Sequence, residues 1–178
     1  MEDGSFEAFQ RDKTPLAFLC SIKIESDFIR WIRLSRIQVD GIDATEKLLD
    51  MLLGVKADAI MLGGITFAGF NIVDPQKILD RTGVPVIVYS GKKPDSEKML
   101  RALKNHFDDW RMRWEIVSAL GPVHSVETHP GEPPIYFEAV GGSPQWAKEI
   151  LCKSATISRI PEPVRVAGII ARGLSPAS

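Results

Sequence analysis

Cysteine is almost missing from this chain: its 178 residues include only Cys20 and Cys152, and neither has a cysteine or histidine at a metal-ligand offset. That speaks against a disulfide framework or a zinc site, and both thiols are expected to be reduced, buried and apolar in role, as in a cytoplasmic protein. Charge of one sign is also lacking. The formal net charge is −1, so no chain-wide field invites nucleic acid, and any such contact must rest on a local patch. No hydrophobic run approaches the roughly 20 residues needed to cross a bilayer, and the first residues are acidic and polar, so neither a signal peptide nor a membrane span is expected. There is no G-x-G-x-x-G and no Walker loop, which leaves dinucleotide and nucleoside triphosphate binding without support.

What remains is ordinary globular composition, 44% hydrophobic and 25% charged, with enough length for one core and hence a single domain over 1–178. The stretch 59–71, A-I-M-L-G-G-I-T-F-A-G-F-N, is the focus. Its apolar start suits a short buried strand, and Gly63, Gly64 and Gly69 let the backbone turn sharply or approach another group closely. Asp74-Pro75 then offers an N-cap and a first-turn proline for a helix over 75–81 ending at Gly83. In open α/β sheets the crevice outside the carboxyl end of such a strand binds ligands, although a plain strand-to-helix loop reads the same way.

Upstream, residues 1–14 are polar and begin abruptly, so a further element is expected ahead of them. Leu16, Phe18, Cys20, Ile22 and Ile24 recur at every second position, the period of a strand with one buried face. Ser26-Asp27 is a tight turn into a second strand over 28–39, giving an antiparallel hairpin whose outer edge could pair with a second copy of the chain. Arg30, Arg33 and Arg36 on that strand suit either phosphate contact or a solvated face. Asp43 followed by Glu46 reads as a carboxylate form of the capping box ahead of a helix with Leu48, Leu49, Leu52 and Leu53 as its apolar stripe. Asp40 sits in a strand-end turn, from which its carboxylate can enter the glycine-loop crevice or simply serve the turn.

Residues 84–89 form a further strand, so strand–helix alternation from 37 to 89 predicts parallel central strands fed by the hairpin. Lys92 and Lys93 follow it, suited to phosphate or to solvent. Helices are expected over 96–107 and 109–120, with Trp110, Trp114 and Val117 as packing. An edge hairpin follows over 123–129 and 135–140, and then helices opened by Ser143-Pro144 and by 160–163. Residues 175–178 should fray. His124 and His129 have no partner at a fixed offset that would make them metal ligands.

Taken together, E-D-G-S-F (2–6), V-D-G-I-D-A-T-E (39–46), I-T-F-A-G-F-N (65–71), K-K-P-D (92–95) and I-P-E-P-V-R-V-A (160–167) resemble the archaeal endonuclease dU family, a relative of endonuclease V. The resemblance covers nearly the whole chain. It implies an α/β, ribonuclease H-like mixed sheet with an N-terminal antiparallel hairpin, parallel central strands and helices on both faces. It also implies Mg²⁺-dependent cleavage of DNA carrying a deaminated base such as deoxyuridine. Carboxylates at strand ends would hold the metal, which activates water and stabilises the leaving oxygen. A damaged base, weakly paired, is the easier one to extrude. By motif position Asp3, Asp40 and Asp43 are the catalytic acids, with Asp3 and Asp40 as metal ligands. Gly64, Phe70, Asn71, Lys92, Lys93 and Arg165 are the substrate contacts. Two positions depart from the family pattern: Gly63 stands where an aspartate is usual, and Gly168 where a histidine is usual. The alternative is therefore a catalytically impaired relative that binds nucleic acid without cleaving it.

Overall fold

A computed structural model describes residues 1–4 and 15–174 of the chain. The expectations for the polar stretch 5–14 and for fraying at 175–178 lie outside the described residues.

The hairpin forms as the alternation requires. Strand β2 (Leu16–Glu25) pairs antiparallel with β3 (Phe28–Gln38) along its whole length, with Ser26 and Asp27 taking positive φ at the turn. On its other side β2 pairs with the two-residue strand β1 (Glu2–Asp3), Glu2 opposite Cys20 and Asp3 opposite Leu19. A four-stranded sheet follows in the order β4-β7-β9-β8, from β4 (Ile60–Leu62), β7 (Val86–Ser90), β8 (His124–Val126) and β9 (Ile135–Val140). Only β4 and β7 are parallel within it. The two sheets meet at Met1. Its α-amino group donates to Met61 O at 2.8 Å and its carbonyl accepts from Gly63 N at 2.9 Å, the staggered pattern of a parallel pair. This places β1 between β2 and β4.

Helices cover both faces, because each strand sends alternate side chains to opposite sides. On one face α1 (Ala44–Leu52), α2 (Pro75–Thr82), α3 (Ser96–His106) and α4 (Trp110–Ser118) close a core around Leu19, Ile37, Leu48, Leu62, Phe67, Ile78, Val88 and Leu103. On the other, α5 (Pro144–Ser154) and α6 (Glu162–Leu174) pack over Ile87, Phe137 and Leu151 and, through Ala167 and Ala171, over Cys20. Each fully buried aliphatic or phenyl side chain contributes about 1.5–3 kcal/mol of transfer free energy. Trp110 and Trp114 pack against the first core, as their spacing implies. Cys152, expected buried, is exposed, since it falls on the outer side of α5.

Three helices are capped at the N-terminus by a side chain. Asp74, Asp95 and Ser143 accept from the backbone N–H groups of Lys77, Lys98 and Trp146, and Gly83 ends α2 in the left-handed region. The capping box of α1 does not form. Asp43 makes no side-chain cap, and the Glu46 carboxylate instead meets Lys77 on α2. A second departure lies in the glycine loop, which contains its own antiparallel hairpin: β5 (Thr66–Phe67) and β6 (Asn71–Ile72) around a tip at Ala68 and Gly69, both with positive φ. No helix of the described residues is long and apolar enough to cross a membrane.

Candidate functional site at the strand tips

The E-D-G, V-D-G and glycine-loop segments do converge, and they do so on Ala68. Its N–H donates to Asp3 Oδ2, and its carbonyl accepts from Asp40 N at 2.8 Å. Asp40 Oδ1 in turn accepts from Phe70 N at 2.9 Å. Two of the expected catalytic carboxylates thus each hold a backbone N–H of the hairpin tip. Asp40 itself takes a positive φ of 58°, which aspartate tolerates better than most residues.

Asp43 and Asn71 belong to a clasp behind this tip. Asn71 is fully buried; its amide nitrogen donates to Gln38 O at 2.9 Å and to Asp43 Oδ1 at 2.7 Å, and its oxygen accepts from Ala44 N at 3.0 Å. Asp43 Oδ1 also accepts from Gln38 N. Asp43 and Asn71, expected as a catalytic acid and a substrate contact, both join the end of β3 to the start of α1. Arg113, only 5% exposed, locks the same loops from α4 by donating to the carbonyls of Asp40, Gly41 and Phe70, while its guanidinium stacks on Phe107. Phe70 packs its ring at 5.4 Å from that of Phe107. Gly64 takes a φ of +133°, and a Cβ there would stand 3.8 Å from Thr66 O. Arg165 holds Glu162 with two hydrogen bonds on α6, and Lys92 and Lys93 are exposed beyond β7, where the Ser90 hydroxyl donates to Lys92 O.

Two residues absent from the sequence-derived set occupy the centre. A Cβ on Gly63 would lie 1.9 Å from Glu2 Oε1 and 2.3 Å from its carboxyl carbon, so the Glu2 side chain lies across the tip of β4. Glu2 and Asp3 are consecutive on a strand and point to opposite faces; Glu2 is the one on the α6 side, opposite Cys20. From α6, Arg172 folds back one turn, with its Nη1 2.9 Å and Nη2 3.1 Å from where a Cβ on Gly168 would stand. The two departures from the family pattern, Gly63 and Gly168, are therefore the two places over which these side chains lie. Burial pushes the Glu2 carboxyl up to about 7, with Asp3 adding to the rise and the α-amino group and Arg172 opposing it. Burial also raises Asp3, against the Ala68 hydrogen bond and the Arg172 charge. Tyr89, buried on β7, is raised by desolvation and feels both Arg159 and Glu2; a Cβ on Gly91 would stand 3.2 Å from its hydroxyl. Arg159 bonds to the carbonyls of Gly91, Pro133 and Pro134, anchoring the loop that carries Lys92 and Lys93. His129 bonds to Ala155 O and His124 stacks on Phe137, so neither approaches this centre as a ligand. Among the described residues no three His, Cys, Asp or Glu side chains converge as a metal-binding group.

A hairpin-fed mixed sheet with helices on both faces is a ribonuclease H-like fold. The chain resembles endonuclease V in fold: human endonuclease V matches 96% of this chain and 82% of its own with a TM-score of 0.57 at 16% identity. Endonuclease V of Ciona intestinalis, crystallised with a 23mer DNA containing an inosine followed by a ribo-adenosine, matches with a TM-score of 0.59 at 13% identity, covering 97% and 82%. A protein of unknown function from Archaeoglobus fulgidus matches at 0.82 and 28% identity, over 99% and 98%. The chain belongs to the endonuclease dU family, which it matches over residues 1–175. It is 45% identical to a UPF0215 protein of Methanothermobacter thermautotrophicus over 143 residues, 78% of this chain and 69% of the relative. A UPF0215 protein of Pyrococcus furiosus is 35% identical over 178 residues, covering 96% and 87%. Membership and fold together support a nuclease-like function.

Proposed function

We propose that this chain is a nuclease-like protein that engages DNA with deaminated bases at the tips of β1, β4 and β7, and that its binding step does not depend on a divalent metal. The observation that carries this reading is the placement of the Glu2 carboxyl over Gly63, with the Arg172 guanidinium over Gly168 on α6. Endonuclease V of Ciona intestinalis, which shares the fold, was crystallised on inosine-containing DNA, and this supports nucleic acid as the ligand class. Lys92 and Lys93, exposed at the same edge, supply positive charge for phosphates without a base preference.

Mg²⁺ demands near-octahedral oxygen ligands, usually one or two carboxylates with water. The residues here do not fit it. Gly63 brings no donor, one oxygen of Asp3 and one of Asp40 are engaged by backbone N–H groups, and the Glu2 carboxyl, pushed up to about 7 by burial, carries only part of its charge near neutral pH. No cleavage step is therefore routed through Mg²⁺. The reading of a Mg²⁺-dependent endonuclease has family membership in its favour. One assay separates the two: a labelled duplex with a single deoxyuridine is incubated with protein in Mg²⁺ or in EDTA. Retention of the duplex in both, with no Mg²⁺-dependent nick, is expected; nicking that requires Mg²⁺ and vanishes in Glu2→Gln establishes the endonuclease instead.

A further inference from the structure

Strand β3 is the outer strand of its sheet, and among the described residues no strand pairs with its far side. Gln38 shows which backbone groups point that way. Its N–H donates to Asp43 Oδ1 and its carbonyl accepts from the Asn71 amide, both away from β2, while Val39 N turns inward to Pro15 O. Successive residues of an antiparallel ladder alternate in this respect, so Arg36, Leu34 and Ile32 also aim their N–H and C=O groups outward. The run is closed at both ends. Beyond Arg36 the Asn71–Asp43 clasp takes the Gln38 groups. Before Ile32 the pairing slips: Lys23 faces Trp31 but Ile24 faces Ile29, which leaves Arg30 as an extra, bulged residue. The open edge is therefore Ile32 to Arg36, with Leu34 at its midpoint. Within it there is no proline, lysine or carboxylate to deter pairing, and its apolar side chains are bare, Ile32 at 47% and Leu34 at 45% exposure.

We propose that this edge pairs antiparallel with the same edge of a second copy of the chain, about a two-fold axis at Leu34. Centred there, Leu34 faces its own counterpart, Ile32 faces the partner's Arg36, and Arg36 faces the partner's Ile32. Each of the three outward residues then exchanges both of its backbone hydrogen bonds, and none is left over. The charges agree with this register. Arg33 faces the partner's Ser35, and its guanidinium is already turned to the carbonyls of Met51 and Leu53 at the end of α1. Moving the axis to Arg33 or to Ser35 strands one of the three outward residues, and the first of these also sets two arginines against each other. A two-fold contact of this kind is isologous and closes on itself, so assembly stops at a dimer. Strand β2 separates this edge from β1 and the crevice, which makes the proposal independent of what the crevice binds.

Sedimentation equilibrium of the full chain over a concentration series tests it. The wild type should approach twice its 19.7 kDa mass. Leu34→Lys sets two ammonium groups against each other on the axis and should raise the dissociation constant about tenfold or more, while its urea transition stays cooperative. Register is read by crosslinking in a Cys152→Ser background, which leaves only the buried Cys20. Directly opposed hydrogen-bonded residues stand about 5.5 Å apart at Cα, within disulfide reach, so Leu34→Cys should give a covalent dimer on mild oxidation. Ser35→Cys, displaced along the strand from its counterpart, should not. A wild type that stays monomeric throughout the series overturns the proposal, as does a dimer that Leu34→Lys leaves intact or that crosslinks through Ser35→Cys in place of Leu34→Cys. Hydrogen exchange covers the remaining case. The amides of Ile32, Leu34 and Arg36 should gain protection as concentration rises; protection independent of concentration would show the edge filled by the chain itself and overturn the proposal too.

Discussion

The side-chain amide of Asn71 donates to Asp43 Oδ1 at 2.7 Å, and this bond, with the Asn71 oxygen on Ala44 N, does at the start of α1 what a cap would otherwise do. The first turn of a helix leaves backbone N–H groups unpaired, and here one of them is satisfied from a hairpin 27 residues further along the chain. The clasp therefore joins the end of β3, α1 and the glycine loop in one hydrogen-bonded unit.

Asn71→Ala should be among the more damaging substitutions in the chain. It removes three hydrogen bonds in a fully buried setting, leaves Ala44 N without its partner and leaves Gln38 O with only the Gly41 N–H. A loss of about 2–4 kcal/mol is expected, since each stranded buried group costs about 1–3 kcal/mol. Urea denaturation checks it; a loss under about 0.5 kcal/mol would mean the clasp is slack in solution.

Asp40 holds the hairpin tip through the Phe70 N–H. Asp40→Ala should lower stability by about 1–2 kcal/mol through the freed Phe70 N–H and the positive φ that aspartate tolerates better. Gly69→Ala should do similar or greater damage, because it combines a φ of +84° with a Cβ 2.2 Å from Asp40 Oδ1. Chemical denaturation of both, with DNA affinity measured alongside, tests this. A stable Asp40→Ala with abolished binding would place Asp40 in direct contact with the ligand.

Much of the architecture was legible before any coordinates. The two-residue period of 16–24 marked a strand but not its buried face, since Leu16 is exposed while Ala17, Leu19 and Ser21 of the opposite set are buried with Cys20. Asp74-Pro75 with Gly83 bounded α2 correctly, because those signals are local. Asp43 and Glu46 misled, since their spacing matches a capping box while the competing partners, Asn71 and Lys77, are distant in sequence. The glycine loop announced a turn but not the hairpin inside it, whose strands are too short to leave a period. At the site, the convergence of the Asp3, Asp40 and glycine-loop segments was correctly expected. Glu2 and Arg172 were missed. Strand alternation makes Glu2 and Asp3 face opposite ways, and the four-residue step from Gly168 to Arg172 sets them on one helix face, so the signal existed. Only the side chain placement says which of the two acids faces β4.

Glu138 gives a pH effect separable from the crevice. It is 5% exposed on β9, and burial pushes its carboxyl up from 4.5 to about 7. A carboxyl raised on folding binds its proton in the folded state where the unfolded chain has lost it. Its contribution is therefore full below pH 4.5 and is lost as pH rises through about 7. The stability of wild type minus that of Glu138→Gln should fall by on the order of 3 kcal/mol from pH 4.5 to 8. Parallel urea titrations across that range check it, and a flat difference would show that Glu138 ionises freely.

Titration of the wild-type protein with Mn²⁺, followed by electron paramagnetic resonance of the free ion, addresses the crevice most directly. With Gly63 bringing no carboxylate and the Asp3 and Asp40 carboxylates each holding a backbone N–H, no site tighter than about millimolar is expected, in the range of weakly liganded carboxylate sites. A micromolar site that disappears in Glu2→Gln or Asp3→Asn would contradict the account.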